Sequence, residues 1–405
     1  MKHKKKVWLA VILLLIITNT ATFLLSNILC LSFGNKVILS TDSPETSATL
    51  QKLVLLKEFL QENYYQPVKE ETLLDGALKG MFSSIGDPYT VYMNDKEFEG
   101  FMTETEGAFG GIGIQVTMDE NGLITVIAPI EDTPGERAGL KSGDKIIKVN
   151  GEDVTGKELD KVVEKMKGKP GTKVTLTILR KGQENYIEKK ITRETIRIKT
   201  VKSEKLEDDL GYIRISMFDE NTAADFNRHL KNLEQQQIKG LIIDLRGNPG
   251  GLLNEVVEIA DRILGEQTIV YTKDRNGKKQ YYNSDEKTKL EIPLVLLIDE
   301  GSASASEILS GAVKDTHSGT LVGTTTFGKG IVQNVQNLSD GSGIKYTSSE
   351  YFTPNGINIH GKGIAPDIKV EIPDELLKKG KQLRLEEDPQ FQKAVEILKT
   401  KIASD

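Results

Sequence analysis

The sequence predicts a multidomain α/β protein: a helical N-terminal region, a small β-rich domain, an α/β core and a C-terminal helix. Three observations carry that expectation. From Leu210 onward, an apolar strand, a Gly-rich turn and an amphipathic helix recur in that order. LIIDL (241–245) leads through RGNPGG to LLNEVVEIADRIL, and LVLLI (294–298) leads through DEGSAS to ASEILSGAV. Such repetition builds a core whose active loops lie at strand ends. Before it, residues 107–195 hold short β-like runs separated by turn signals. Finally, 405 residues are too many for one ordinary domain and suit about two or three.

Taken in order, the chain opens with MKHKKK, and residues 7–33 then contain no charged side chain. That is long enough to cross a bilayer, which takes about 20 residues. Lysines before the span put the N-terminus in the cytoplasm and the body of the chain outside. The expectation for 1–34 is a basic tail and a single-pass, uncleaved anchor in the cell membrane. Secretion after signal cleavage is the alternative, because the polar TNTAT at 18–22 leaves a short apolar core at 7–17. Against cleavage stand the length of the stretch and the lack of an A-x-A end. Cys30 is the only cysteine, so no intrachain disulfide forms.

Residues 35–49 are polar and read as a tether. The region 35–106 continues with helical spacing in LQKLVLLKEFLQENYY and ETLLDGALKGMF, then the turn of IGDPYTVYM. The next domain, 107–195, holds GIGIQV, LITVIAPI, DKIIKVN and KVTLTILR, with one amphipathic helix over 156–166. The core spans 196–370. From 364 the chain leaves it through PDIKVEIPDE, and the C-terminal segment, 371–405, ends in a charged amphipathic helix over 389–402. Without the four N-terminal lysines the net charge goes from −6 to −10. That acidic body argues against nucleic acid as a partner. No H-E-x-x-H and no Cys/His cluster calls for zinc, so neither metal nor cofactor is expected.

For chemistry, DEGSASASEI places three serines at alternate positions, Ser302, Ser304 and Ser306, where a buried strand turns into a helix. A serine attacks well only beside a group that takes its proton. The four histidines follow no triad spacing and there is no G-x-S-x-G elbow, which leaves a Ser-His-Asp enzyme unsupported. A lysine replaces histidine when burial removes its charge. The S-x-x-K patterns at 142–145 and 284–287 lie in charged turns. Lys329 differs: Gly328 and Gly330 flank it, and no acidic residue occurs between Ser318 and Ser339. Those glycines allow close backbone approach, so this lysine is the one that can be led into a packed interior.

The motifs GDPYTVYM, FGGIGIQV, AGLKSGDKIIKVNG, DLRGNPGG, GSASASE, FGKGIVQ and YFTPNGINIHGKGIAPDI occur in that order between about residue 50 and residue 369. Together they resemble the carboxy-terminal processing (tail-specific) serine proteases. The resemblance implies a crotonase-like α/β protease core and a PDZ domain of the permuted bacterial order at 107–195. It implies that Ser304 is the nucleophile, Lys329 its base and Gln333 the residue that positions the base. A glutamine orients a neutral amine without adding the charge that would keep it protonated. Oxyanion donors would come from the backbone of Ala305 and of Gly250 or Gly251, with Asp244 and Arg246 fixing the loop.

In the domain at 107–195, the resemblance makes Gly110, Gly111, Ile112, Gly113 and Ile114 the loop and strand that hold a peptide's terminal carboxylate. Leu159, Val163 and Met166 would line an apolar pocket beside them. Arg180 is a candidate for coupling bound peptide to the core, against its reading as a surface arginine beside a turn. Substrates would be proteins with unstructured apolar C-termini, and the segments 50–82 and 389–402 would pair subunits in a homodimer. Two other readings stand beside this one. A catalytically silent PDZ adaptor would have lost Ser304, Lys329 or Gln333, and none is missing. Crotonase-like acyl-CoA chemistry suits the core, but such substrates are cytoplasmic.

Overall fold

The computed structural model describes residues 44–183, 185–285, 287–373, 376 and 384–404. The expected anchor at 7–33 lies outside them. Among the described residues no helix is long and apolar enough to cross a membrane.

The chain divides into two units, residues 1–96 with 335–345, and residues 97–334 with 346–405. In the first, helices Pro44–Asn63 and Glu70–Ser83 precede the strand Val91–Met93, which pairs antiparallel with Gly343–Lys345. The first helix begins at Pro44, inside the stretch read as a tether. Proline suits the first turn of a helix, where its missing N–H costs nothing, and Glu45 complements the helix dipole there. Leu53, Leu56, Phe59 and Leu60 of this helix are all exposed.

The second unit holds the β-rich domain and the α/β core. In the former, an antiparallel sheet runs in the spatial order 114–118, 124–129, 145–149, 173–179, 187–192. The helix Leu159–Met166 lies on it, and residues 108–111 form a separate ladder with 194–197. The core sheet has six strands, ordered 201–205, 210–215, 240–244, 294–298, 320–323, 368–369. Its first pair is antiparallel and the rest are parallel.

The period-2 alternation of strands gives this sheet two apolar faces. Ile213, Leu241, Ile243, Leu296 and Leu321 bury against helices 222–235, 253–263 and 305–315. Tyr212, Ile242, Val295, Leu297 and Val322 face the other way, onto Phe391, Ala394 and Leu398 of the helix Pro389–Ile402. That corrects two expectations. The C-terminal segment does not leave the core but covers its second face. The apolar stripe of 389–402, spaced at three and four residues, is consumed within its own chain rather than presented to a second subunit.

Candidate active site

Three adjacent parallel strands end together, at Asp244, Ile298 and Gly323, and each releases one of the loops that carry the motifs. Loops converging at the carboxyl ends of parallel strands make the usual site of an α/β sheet.

The first loop, RGNPGG, is braced from below. Asp244 is fully buried, and its carboxylate accepts Arg246 Nε at 2.9 Å, Arg246 Nη2 at 2.7 Å and the Tyr212 hydroxyl at 2.7 Å. Burial works to raise its pKa, but the Arg246 guanidinium outweighs it and holds the carboxyl below the usual range. Arg246 also reaches the C-terminal helix, through Asp388 Oδ2 at 2.6 Å and Gln390 Oε1 at 2.9 Å. Asn248, fully buried, donates to the Ile215 carbonyl at 2.9 Å and accepts the Gly250 N–H on its side-chain oxygen, also at 2.9 Å.

The Gly250 amide is therefore occupied, which corrects the expectation that either glycine offers a donor. Gly251 N–H has no hydrogen-bond acceptor among the described residues. Both positions require glycine. A Cβ on Gly250 would stand 2.7 Å from the Ser304 Cβ, and one on Gly251 would stand 2.1 Å from the Phe218 carbonyl oxygen.

In the second loop the three serines separate. Ser302 is buried and donates to the Leu245 carbonyl at 2.9 Å; Ser306 is buried and donates to the Asn248 carbonyl at 3.0 Å. Both hydroxyls stitch this loop to RGNPGG. Ser304 between them is half-buried, immediately before the helix Ala305–Asp315. Its backbone (φ 53°, ψ −110°) is in a conformation L-residues seldom adopt. The Ser304 N–H donates to Glu307 Oε2 at 2.9 Å, and its carbonyl accepts the Tyr351 hydroxyl at 3.2 Å. Burial, then the charge of Glu307, push that tyrosine hydroxyl well above its ordinary pKa, so it remains a donor.

The third loop is pinned at successive residues. Phe327 N–H donates to the Ser302 carbonyl at 3.0 Å, Gly328 N–H to Glu307 Oε1 at 2.7 Å, and Lys329 N–H to Glu307 Oε2 at 2.8 Å. One carboxylate oxygen thus receives the backbone of both Ser304 and Lys329. A Cβ on Gly330 would lie 2.6 Å from the His360 nitrogen, so glycine permits the packing around a half-buried Lys329. Gln333 follows on the strand Ile331–Asn337; its Nε2 is buried with no hydrogen-bond partner among the described residues.

Glu307, Asn248, Thr326 and Tyr351 were not among the residues singled out from sequence. Glu307 had a signal: Ser304-x-x-Glu307 before an apolar run is the capping-box pattern. Of the histidines, His229 Nδ1 pairs with the Ser203 hydroxyl at 2.6 Å, but Ser203 lies mid-strand at the sheet edge, away from these loops.

In the β-rich domain, Gly110 and Gly111 sit in the ladder opposite Thr195 and Glu194, and Gly113 makes the break (φ 69°) before the strand Ile114–Met118. The carbonyls of Gly110, Ile112 and Gly113 accept from Gly168, Gly135 and Ile130. The N–H groups of Ile112 and Gly113 find no acceptor among the described residues. Strand 114–118 is a sheet edge. Ile114, Leu159 and Val163 are half-buried, whereas the Ile112 and Met166 side chains are buried in the domain's core. Arg180 also departs from expectation. It forms a fork with buried Asp144, Nε to Oδ1 and Nη2 to Oδ2 at 2.7 Å each, and its Nη2 reaches the Gly139 carbonyl. Its charge is spent inside its own domain.

Comparison with known proteins agrees with this layout. The chain is 37% identical over 376 residues to the carboxy-terminal processing protease CtpA of Bacillus subtilis, covering 92% of this chain and 79% of that protein. The chain belongs to the carboxy-terminal processing proteases. It is also 41% identical over 354 residues to CtpB of the same organism, covering 83% of this chain and 74% of the relative. The peptidase family S41 model matches 209–370, the PDZ model matches 125–180, and a model of the N-terminal domain of the activating protease CtpB matches 17–97. In fold, the chain resembles a Bacteroides fragilis structure assigned to the S41 proteases (TM-score 0.52, 14% identity, covering 85% of this chain and 97% of that one). This processing protease is therefore a multidomain α/β serine peptidase whose α/β core carries the three loops.

Proposed function

We propose that this processing protease is an endopeptidase that cleaves through an acyl-enzyme on Ser304, with Lys329 as base. The observation that carries the reading is the separation of the serines. Ser302 and Ser306 spend their hydroxyls on buried carbonyls, while Ser304 sits half-exposed on a strained turn bound to the same oxygen as Lys329. Ser304 Oγ attacks the scissile carbonyl and its proton passes to Lys329 Nζ. The tetrahedral oxyanion faces the N–H of Gly251 and of Ala305, which at the first turn of its helix has no intrahelical acceptor. Collapse expels the amine, which takes the proton from Lys329, and water hydrolyses the ester. The Gln333 side-chain oxygen would accept an N–H of the neutral lysine and leave its lone pair free for the Ser304 proton.

Peptide C-termini would be held in the PDZ domain by the N–H groups of Ile112 and Gly113. The chain before the carboxylate would add to edge strand 114–118, with Leu159 and Val163 on the apolar side. Residues 7–33 would anchor the enzyme with its catalytic part outside the cell membrane. The exposed leucines of helix Pro44–Asn63 would form the dimer contact.

The test is mass spectrometry of an unfolded protein with an apolar C-terminus incubated with wild type, Ser304→Ala, Lys329→Ala, Ser302→Ala and Ser306→Ala. Cleavage should vanish in the first two variants only. Cleavage by Ser304→Ala would mean a different nucleophile. No cleavage by folded wild type, with the peptide still bound, would favour the adaptor.

A further inference from the structure

We propose that Glu307 is a positioning residue of this protease, whose carboxylate fixes the spacing between the nucleophile turn and the base loop. The proposal rests on reading Ser304 and Lys329 as nucleophile and base. The Glu307 side chain is wholly buried. Its Oε2 accepts the N–H of Ser304 at 2.9 Å and of Lys329 at 2.8 Å. Its Oε1 accepts the Gly328 N–H at 2.7 Å and the Thr326 hydroxyl at 2.6 Å.

Three of these donors are backbone N–H groups and accept nothing. The fourth is as firmly committed. Thr326 Oγ1 already accepts the Ile364 N–H at 2.7 Å, and its single proton is directed at Glu307. Four donors converge on two oxygens, a demand that among the side chains a carboxylate meets and an amide does not. A capping box needs only the bond to Ser304. The other three go to a loop about twenty residues downstream, the one that carries the base, and capping does not require them.

The same bonds hold Ser304 in its disfavoured conformation. Glu307 takes its N–H while the Tyr351 hydroxyl takes its carbonyl. If the carboxylate loosens, both the turn and the lysine loop gain freedom in the coordinate that the attack requires. A displacement of about 1 Å in such a coordinate is enough to cost about 100-fold in rate.

Glu307→Gln is the near-isosteric test. With its NH2 toward Ser304 and Lys329 the amide meets two N–H donors; turned over, it meets the Gly328 N–H. Neither orientation satisfies the site. Using the full chain in detergent, kcat per folded molecule should fall about 100-fold, with KM for an unfolded protein substrate held within about threefold and PDZ peptide binding unchanged. The folded fraction is taken from circular dichroism. Wild-type kcat per folded molecule, or a raised KM at constant kcat, would overturn the proposal and leave Glu307 a helix cap.

Should Glu307→Gln fail to fold, Thr326→Val is compared with Thr326→Ser. Loss of kcat in the valine variant only supports the proposal, and equal kcat overturns it. Ser304→Ala and Lys329→Ala run alongside separate the two levels. Activity surviving in either one sinks the underlying reading and this proposal with it. Both silent with a fully active Glu307→Gln sinks the Glu307 role alone.

Discussion

Arg246 donates from Nη1 to Asp388 Oδ2 across 2.6 Å, so a residue of the RGNPGG loop is held by the N-cap of the C-terminal helix, 142 positions away. Asp388 also accepts the N–H of Gln390 and Phe391. Asp388→Ala removes a buried ionic partner and a cap together. It should cost about 3–5 kcal/mol, read as a lowered urea midpoint. Activity should fall beyond the loss of folded protein, because Arg246 braces the RGNPGG loop beside Ser304. An unchanged midpoint would mean that the helix docks by its apolar stripe alone.

The alternate serines should divide stability from catalysis. Ser302→Ala takes the acceptor from the Asp299 N–H and should destabilise by about 1–3 kcal/mol, and Ser306→Ala removes one of two donors to the Asn248 carbonyl and should cost about 1 kcal/mol, with cleavage of an unfolded substrate retained. Ser304→Ala should keep its melting temperature within about 2 °C, being half-exposed, and lose cleavage. Thermal melts and a cleavage assay on the same three preparations check the division.

Gly250→Ala should abolish turnover. The added Cβ would lie 2.7 Å from the Ser304 Cβ and 2.8 Å from the Ala303 carbonyl oxygen, at a φ of 105°. The Ser304 turn must shift to admit it. We expect a loss of at least about 100-fold in kcat, consistent with a displacement near 1 Å, while PDZ peptide binding measured by fluorescence polarisation remains unchanged.

The Arg180–Asp144 fork makes the PDZ domain acid-sensitive. Burial works to raise the Asp144 pKa, but the Arg180 guanidinium bonded to it brings the carboxyl below its usual value. A carboxyl depressed in the folded state stabilises above its unfolded pKa, about 3.9. That contribution is lost as pH falls through the lower, folded value. Wild type should therefore lose stability steeply below about pH 4. Asp144→Asn should be less stable at pH 7 and flatter in the acid range. Equal slopes in acid-denaturation curves of the two proteins would contradict this.

Sequence alone determined the order of the elements and pointed to the residues of the candidate site. Strand 240–244, the RGNPGG turn and helix 253–263 are local consequences of apolar runs ended by glycines, and each can be read within a dozen residues. The serine run and FGKG could be singled out because small residues and a lysine without acidic neighbours are unusual at strand ends. Strands such as 187–192 and 268–274 were less legible, because IEKKIT and TIVYTKD mix charge into the alternation and are fixed by their partners.

What tertiary structure decided was the use of each group. All three serines share one local pattern, and only packing shows that two hydroxyls are consumed by Leu245 and Asn248. Arg180 carries no local sign that Asp144, 36 residues earlier, will claim it. Glu307 looks like an ordinary cap until the loop at 326–329 arrives to complete its four bonds. Periodicity and turn chemistry act over a few residues, so sequence displays them. Hydrogen-bond satisfaction in a buried site is settled between segments distant in the chain, and it exists only once they have been packed together.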